Sequence, residues 1–229
     1  MKTRLAPILT SLVLAALASS AQADVIIDLA DPFTGADSGW SVILADPTHT
    51  GVVVDRVTDS YVRIEISKQF VEPPVEGEFA PILIGFHQRL DDANTASVIQ
   101  ITDEVIRNNT GADWTDFHWH VVGAEAAFNR YYTDNSGFSV DPFTHEFWGS
   151  QPAGWDANHA ASLGVDEGVV PDGGMFTPGL ASGRLYIDTD LSAGCSDFVL
   201  KEVPTPEPGS LAVVLSGAAF VLIRRRRQL

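Results

Sequence analysis

The chain has 229 residues, 45% of them hydrophobic, and a formal net charge of −16. That apolar fraction excludes disorder, which needs low hydrophobicity as well as high charge. A single cysteine, Cys195, excludes an internal disulfide framework. Six of the fourteen basic residues stand at the two ends, so residues 24–203 hold 8 basic and 29 acidic side chains, a net of −21. Such a surface repels nucleic acid and anionic lipid.

In chain order, Lys2 and Arg4 precede an apolar run over residues 5–18, followed by Ala21-Gln22-Ala23. Positive start, short apolar run and small residues at the two positions a signal peptidase reads predict a secretory signal peptide, cleaved between Ala23 and Asp24. What remains before the tail suits one domain and can bury a real core.

Along residues 24–203 the pattern has period 2. Residues 61–66, YVRIEI, alternate with Val62, Ile64 and Ile66 on one face and Arg63 and Glu65 on the other, which is a half-buried strand. Further strands are predicted over residues 25–29, 39–44, 79–86, 98–106, 116–122, 183–188 and 197–203, with Gly, Pro, Asn and Asp clusters between them. Residues 149–182, rich in Gly, Pro and Asp, read as a long loop region with one or two short elements. No long 3.6-period helix appears. The expected fold is all-β, an antiparallel β-sandwich or jelly roll. Cys195 has three open roles: pairing between chains, a reactive thiol, or a small buried hydrophobe.

At residues 203–209, VPTPEPG, three prolines fall within five residues and each lacks a backbone N–H. The expectation is an extended, accessible stretch that pairs with nothing. Residues 211–223, LAVVLSGAAFVLI, follow, and then Arg224, Arg225, Arg226 and Arg227. Thirteen helical residues reach roughly 20 Å, short of the ~30 Å bilayer core, and snorkelling arginines make up part of the difference. Positive charge stays cytoplasmic, so this transmembrane helix leaves the acidic body outside.

Pro206-Glu207-Pro208, an apolar helix and a terminal arginine cluster together resemble the PEP-CTERM sorting signal. The resemblance covers residues 204–229, roughly a tenth of the chain. It implies an exported protein of a Gram-negative bacterium that makes exopolysaccharide. It further implies a transient inner-membrane anchor and a membrane-embedded exosortase that recognises the tripeptide and cuts nearby. Pro206, Glu207 and Pro208 are then substrate positions for that protease. The same tail occurs on some ice-binding proteins, but no Thr-x-Thr ladder is present here. Residues 108–118, NNTGADWTDFH, are similar to stretches in the bodies of other PEP-CTERM proteins, a likeness that bears on fold and not on activity.

Candidate chemistry in the body is sparse. His118 and His120 share a strand face and, with His145 or Glu146, would suit zinc. Asp188 and Asp190, or Asp113 and Asp116, offer oxygens to calcium, without an ordered calcium-loop motif. Trp40, Trp114, Trp119, Trp148 and Trp155 are a candidate sugar-stacking platform or core residues. There is no Gly-x-Ser-x-Gly elbow, no His-Glu-x-x-His and no phosphate-cradling glycine loop. The expected reading is a non-catalytic cell-surface or extracellular-matrix protein without a cofactor, calcium excepted. A polysaccharide-binding module and a secreted polysaccharide hydrolase are the alternatives.

Overall fold

In the computed structural model, residues 23–91, 94–179, 183–193 and 196–206 are described. Ala21, Cys195, Glu207, Pro208, the apolar run of residues 211–223 and Arg224, Arg225, Arg226 and Arg227 lie outside them, as does the signal segment up to residue 22. Among the described residues no helix is long and apolar enough to cross a membrane.

The protein is predominantly β. The first sheet runs β1 (Val25–Ala30), β2 (Asp37–Leu44), β5 (Ile82–Gln88), β14 (Asp197–Pro206), β7 (Trp114–Val122), β11 (Ser162–Asp166) and β9 (His145–Trp148), antiparallel throughout. The second runs β10 (His159–Ala160), β8 (Ala126–Asn129), β13 (Leu185–Thr189), β6 (Val98–Asn108), β4 (Tyr61–Phe70) and β3 (Thr50–Val57), with β12 (Met175–Phe176) also paired to β6. A short α-helix, α1 (Arg130–Asn135), starts at Asn129, whose side chain accepts from the Tyr132 N–H.

The expectation of purely antiparallel sheets is corrected at one place: β4 and β6 pair in parallel. The chain leaves the second sheet after β4, runs through the first as β5, and returns as β6. Two crossings between layers reverse direction twice, so neighbours in the same sheet point the same way.

Residues 149–182, expected as a long loop region with one or two short elements, contribute three, β10, β11 and β12. These strands are two to five residues long and carry too little alternation to be seen in isolation. Strand β3 was also absent from the expectation. Its Val52-Val53-Val54 run breaks period 2, and a register shift follows between Val54 and Arg56.

The proline-rich stretch is the third correction. Strand β14 continues through Pro204, which is buried, to Pro206, which pairs with Trp114. Strand β5 covers β14 only as far as Glu202. Beyond that residue one side of the strand is unpaired, so a missing N–H is tolerated there.

One apolar cluster is shared by both sheets. From the first sheet come Trp40, Val42, Phe86, Phe117, Trp119 and Phe198, and from the second Ile64, Ile66, Ile101, Phe128 and Ile187. Trp114 makes edge contacts with Phe70 and Phe79, at 5.2 and 6.3 Å between centroids, where the two layers meet. The NNTG turn closes this end. Asn108 is fully buried; its amide donates to the carbonyls of Ala112 (2.8 Å) and Val170 (3.0 Å), and its Oδ1 accepts from Thr110 Oγ1 (2.7 Å). Gly111 takes φ +80°, a left-handed conformation that the turn requires and other residues resist. The NNTG stretch therefore acts as a structural corner.

Candidate functional site

Strand alternation on β7 sends Phe117, Trp119 and Val121 inward and Asp116, His118 and His120 outward. The two outward imidazoles lie 6.1 Å apart in near-parallel planes, facing one another along the strand instead of converging on a point. Across the sheet, Gly164 on β11 pairs with both His118 and Phe147. A Cβ at Gly164 would sit 2.3 Å from Phe147 Cζ and 2.9 Å from His118 Nδ1, so its absence lets these two rings approach to 5.8 Å. His145 adds a further ring 5.7 Å beyond Phe147. His145, Phe147, His118 and His120 thus make one strip of rings over three strands, flanked by Asp116, Asp166 and Lys201.

Charge on this strip is graded. Burial pushes the His120 imidazole below its ordinary value, and the His118 and Lys201 charges push it further. Burial works to raise the Asp116 carboxyl, but hydrogen bonding from His118 and Thr205 overcomes it and holds the group low. Asp166 Oδ1 lies 2.6 Å from His145 Nδ1.

Other predicted site residues are dispersed. Glu146 faces the opposite side of β9 from His145; burial and then the Asp134 charge raise its pKa. Asp188 and Asp190 do not act together. Asp188 Oδ2 accepts from Asn129 (2.6 Å) and contacts His159 Nε2 (3.0 Å), whereas exposed Asp190 accepts from the Ser192 N–H. Asp113 caps the Asp172 N–H at 2.9 Å. Among the described residues no three His, Cys, Asp or Glu side chains group around a point that a metal could occupy. Of the two readings of the tryptophans, core holds for Trp40, Trp114 and Trp119, which are fully buried, whereas Trp148 and Trp155 reach solvent in part. Of the residues expected at the two cleavage points, Ala23 and Asp24 are exposed, and Pro206 is half-buried at the close of β14.

A second constellation lies between the sheets. Lys68 on β4 contacts Glu104 on β6 and Glu202 on β14, all three within 2% of complete burial. Trp119 Nε1 donates to Glu104 Oε2 at 3.2 Å, and Glu202 Oε1 meets no donor. Burial and then the Glu104 charge push Glu202 up to about 8. Burial alone would lower Lys68, but the Glu104 and Glu202 charges outweigh it and raise the ammonium.

Two of these residues carry a signal in the sequence. Lys68 continues the inward series Val62, Ile64, Ile66, and Glu202 continues Phe198, Leu200. Glu104 could not be found that way. Glu65 pairs with Thr102 and Ser67 with Val105, so one extra residue on β6 switches its parity and turns Glu104 inward.

Comparison with protein families, with curated proteins and with solved structures finds no match to this chain.

Proposed function

We propose that the chain is an exported, tail-processed surface or matrix protein with a non-catalytic, jelly-roll-like β-sandwich body. The observation that carries this reading is the position of the two processing points. Asp24, the expected new N-terminus, is exposed and immediately precedes β1, and Pro206, the first residue of the tripeptide, is the last residue of β14. The described strands therefore lie within the interval that two cuts would leave. Residues up to Pro206 are paired in a sheet and closed to a protease that needs an unpaired chain, so cleavage falls after Pro206 and not before it. Intact mass spectrometry of the protein from its native host tests this. The expected product begins at Asp24, ends at or beyond Pro206 and lacks the four terminal arginines. Retention of the arginines in a strain with working exosortase would overturn the reading.

A second reading, polysaccharide binding, is favoured by the strip of rings on the outer face of the first sheet. Flat rings, exposed at His145 and Phe147 and half-buried at His118 and His120, beside carboxylate and ammonium groups suit stacking on sugar faces with polar contacts at the rim. Co-sedimentation with the host's own exopolysaccharide, lost in Phe147→Ala and in Gly164→Val, is the expected result. Unchanged co-sedimentation of both variants would remove this reading without touching the sorting proposal.

A further inference from the structure

The buried Lys68–Glu104–Glu202 cluster has no part in sorting or in the outer face, and its form needs an account. Three ionisable groups stand between the sheets of a body that has a single cysteine and hence no internal disulfide. Buried ions cost more in desolvation than their attraction returns unless every lone pair is met, and Glu202 Oε1 meets no donor. The amine, one carboxyl fixed by Trp119 and one carboxyl with a free oxygen are also the three parts of a condensation reaction.

We propose that Lys68 and Glu202 condense to an intramolecular amide, with Glu104 relaying the proton. Glu104, anchored by Trp119, takes a proton from the Lys68 ammonium and leaves a neutral amine. The amine lone pair attacks Cδ of the Glu202 carboxylic acid, forming the C–N bond. The tetrahedral adduct expels the Glu202 hydroxyl. A second nitrogen proton, passed through Glu104, joins that hydroxyl and leaves with it as water. The C–O bond is broken, Nζ keeps one hydrogen, and Glu104 ends protonated; nothing is oxidised or reduced. Reactants and product are each neutral in sum, but the product holds no separated charge in the dry interior.

The roles follow from the environments. Burial and the Glu104 charge keep Glu202 protonated to about 8, and a carboxylic acid has a hydroxyl to expel where a carboxylate does not. Both Glu104 oxygens are already engaged, by Lys68 and by Trp119. Holding the amine against the acid supplies the proximity whose absence makes amide formation unfavourable in dilute water. The bond would tie the second sheet to the first across 134 residues of sequence.

The test is the intact mass of the exported wild-type protein, followed by peptide mapping under denaturing conditions. The expected mass is one water below that of the processed sequence, with a branched peptide joining Lys68 to Glu202. Glu104→Gln and Lys68→Arg should each have the full mass of their own sequences. The guanidinium keeps the charge but is a poor nucleophile, and near-ultraviolet circular dichroism reports whether either variant is folded. A wild-type chain at full mass overturns the proposal, whatever the variants do. A branch between Lys68 and Glu104 overturns the assigned roles.

Discussion

Lys201 and Glu202 are neighbours on β14, yet they belong to two different kinds of surface. Lys201 faces out beside His120, among groups that water can serve. Glu202 faces in, against Lys68 and Glu104, where each polar atom depends on a named partner. The contrast teaches that polarity is inexpensive on one side of a sheet and decisive on the other. An exposed ion pair contributes between nothing and about 1 kcal/mol, whereas stranding a buried charge costs about 3–5 kcal/mol.

The strongest way to break the comparison is to stop the inner cluster from closing. Lys68→Arg should lose the covalent tie between the sheets. A closed loop of this length removes about 5 kcal/mol of denatured-state freedom, so urea unfolding should shift to a much lower midpoint. Equal midpoints for this variant and wild type would make the inner cluster an ordinary ion pair. Next in size, Trp119→Phe removes the donor to Glu104 while keeping an aromatic ring. The expected loss is about 1–3 kcal/mol, the cost of leaving a buried oxygen unmet, read by the same denaturation curve.

A pH series sharpens the contrast. Where Glu202 remains free, the folded state holds a proton that the unfolded chain releases above its ordinary value of 4.5. The folded form then binds more protons, and stability falls as pH rises between about 4.5 and about 8, by about 1.4 kcal/mol per unit. Denaturation of the chain at pH 5 and pH 7 measures this slope. The part due to Glu202 should be absent once the amide has consumed its carboxyl. The smallest effect belongs to the outer face: Lys201→Ala and His118→Ala should each change stability by less than about 0.5 kcal/mol. A larger change at either would mean that the outer strip holds the fold together and is not a free face.

The legibility of these two surfaces differed for physical reasons. Strands β4, β7 and β14 were readable because alternation is a property of one strand, and burial of one face imposes it residue by residue. His118 and His120 were placed on one face for the same reason. Phe147 was not joined to them, because that contact depends on two pairings through Gly164 in a stretch read as loop. Lys68 and Glu202 stood in the inward series of their strands and could have been singled out as polar residues in apolar positions. Their meeting could not be read, since it crosses from one sheet to the other. The rule against proline in strands failed at Pro204 and Pro206 because it takes both neighbours for granted, and β5 stops at Glu202.

From the amino acids alone came the acidic charge of the body, the absence of an internal disulfide, the all-β character and the buried faces of β4 and β7. These follow from covalent chemistry and from a two-residue repeat that needs no knowledge of neighbours. Tertiary structure decided the parallel β4–β6 pair, the parity switch at Glu104, the row of rings over Gly164 and the convergence of Lys68 with two glutamates. Each of these depends on which strands lie side by side, and strand pairing joins residues that the chain itself keeps far apart.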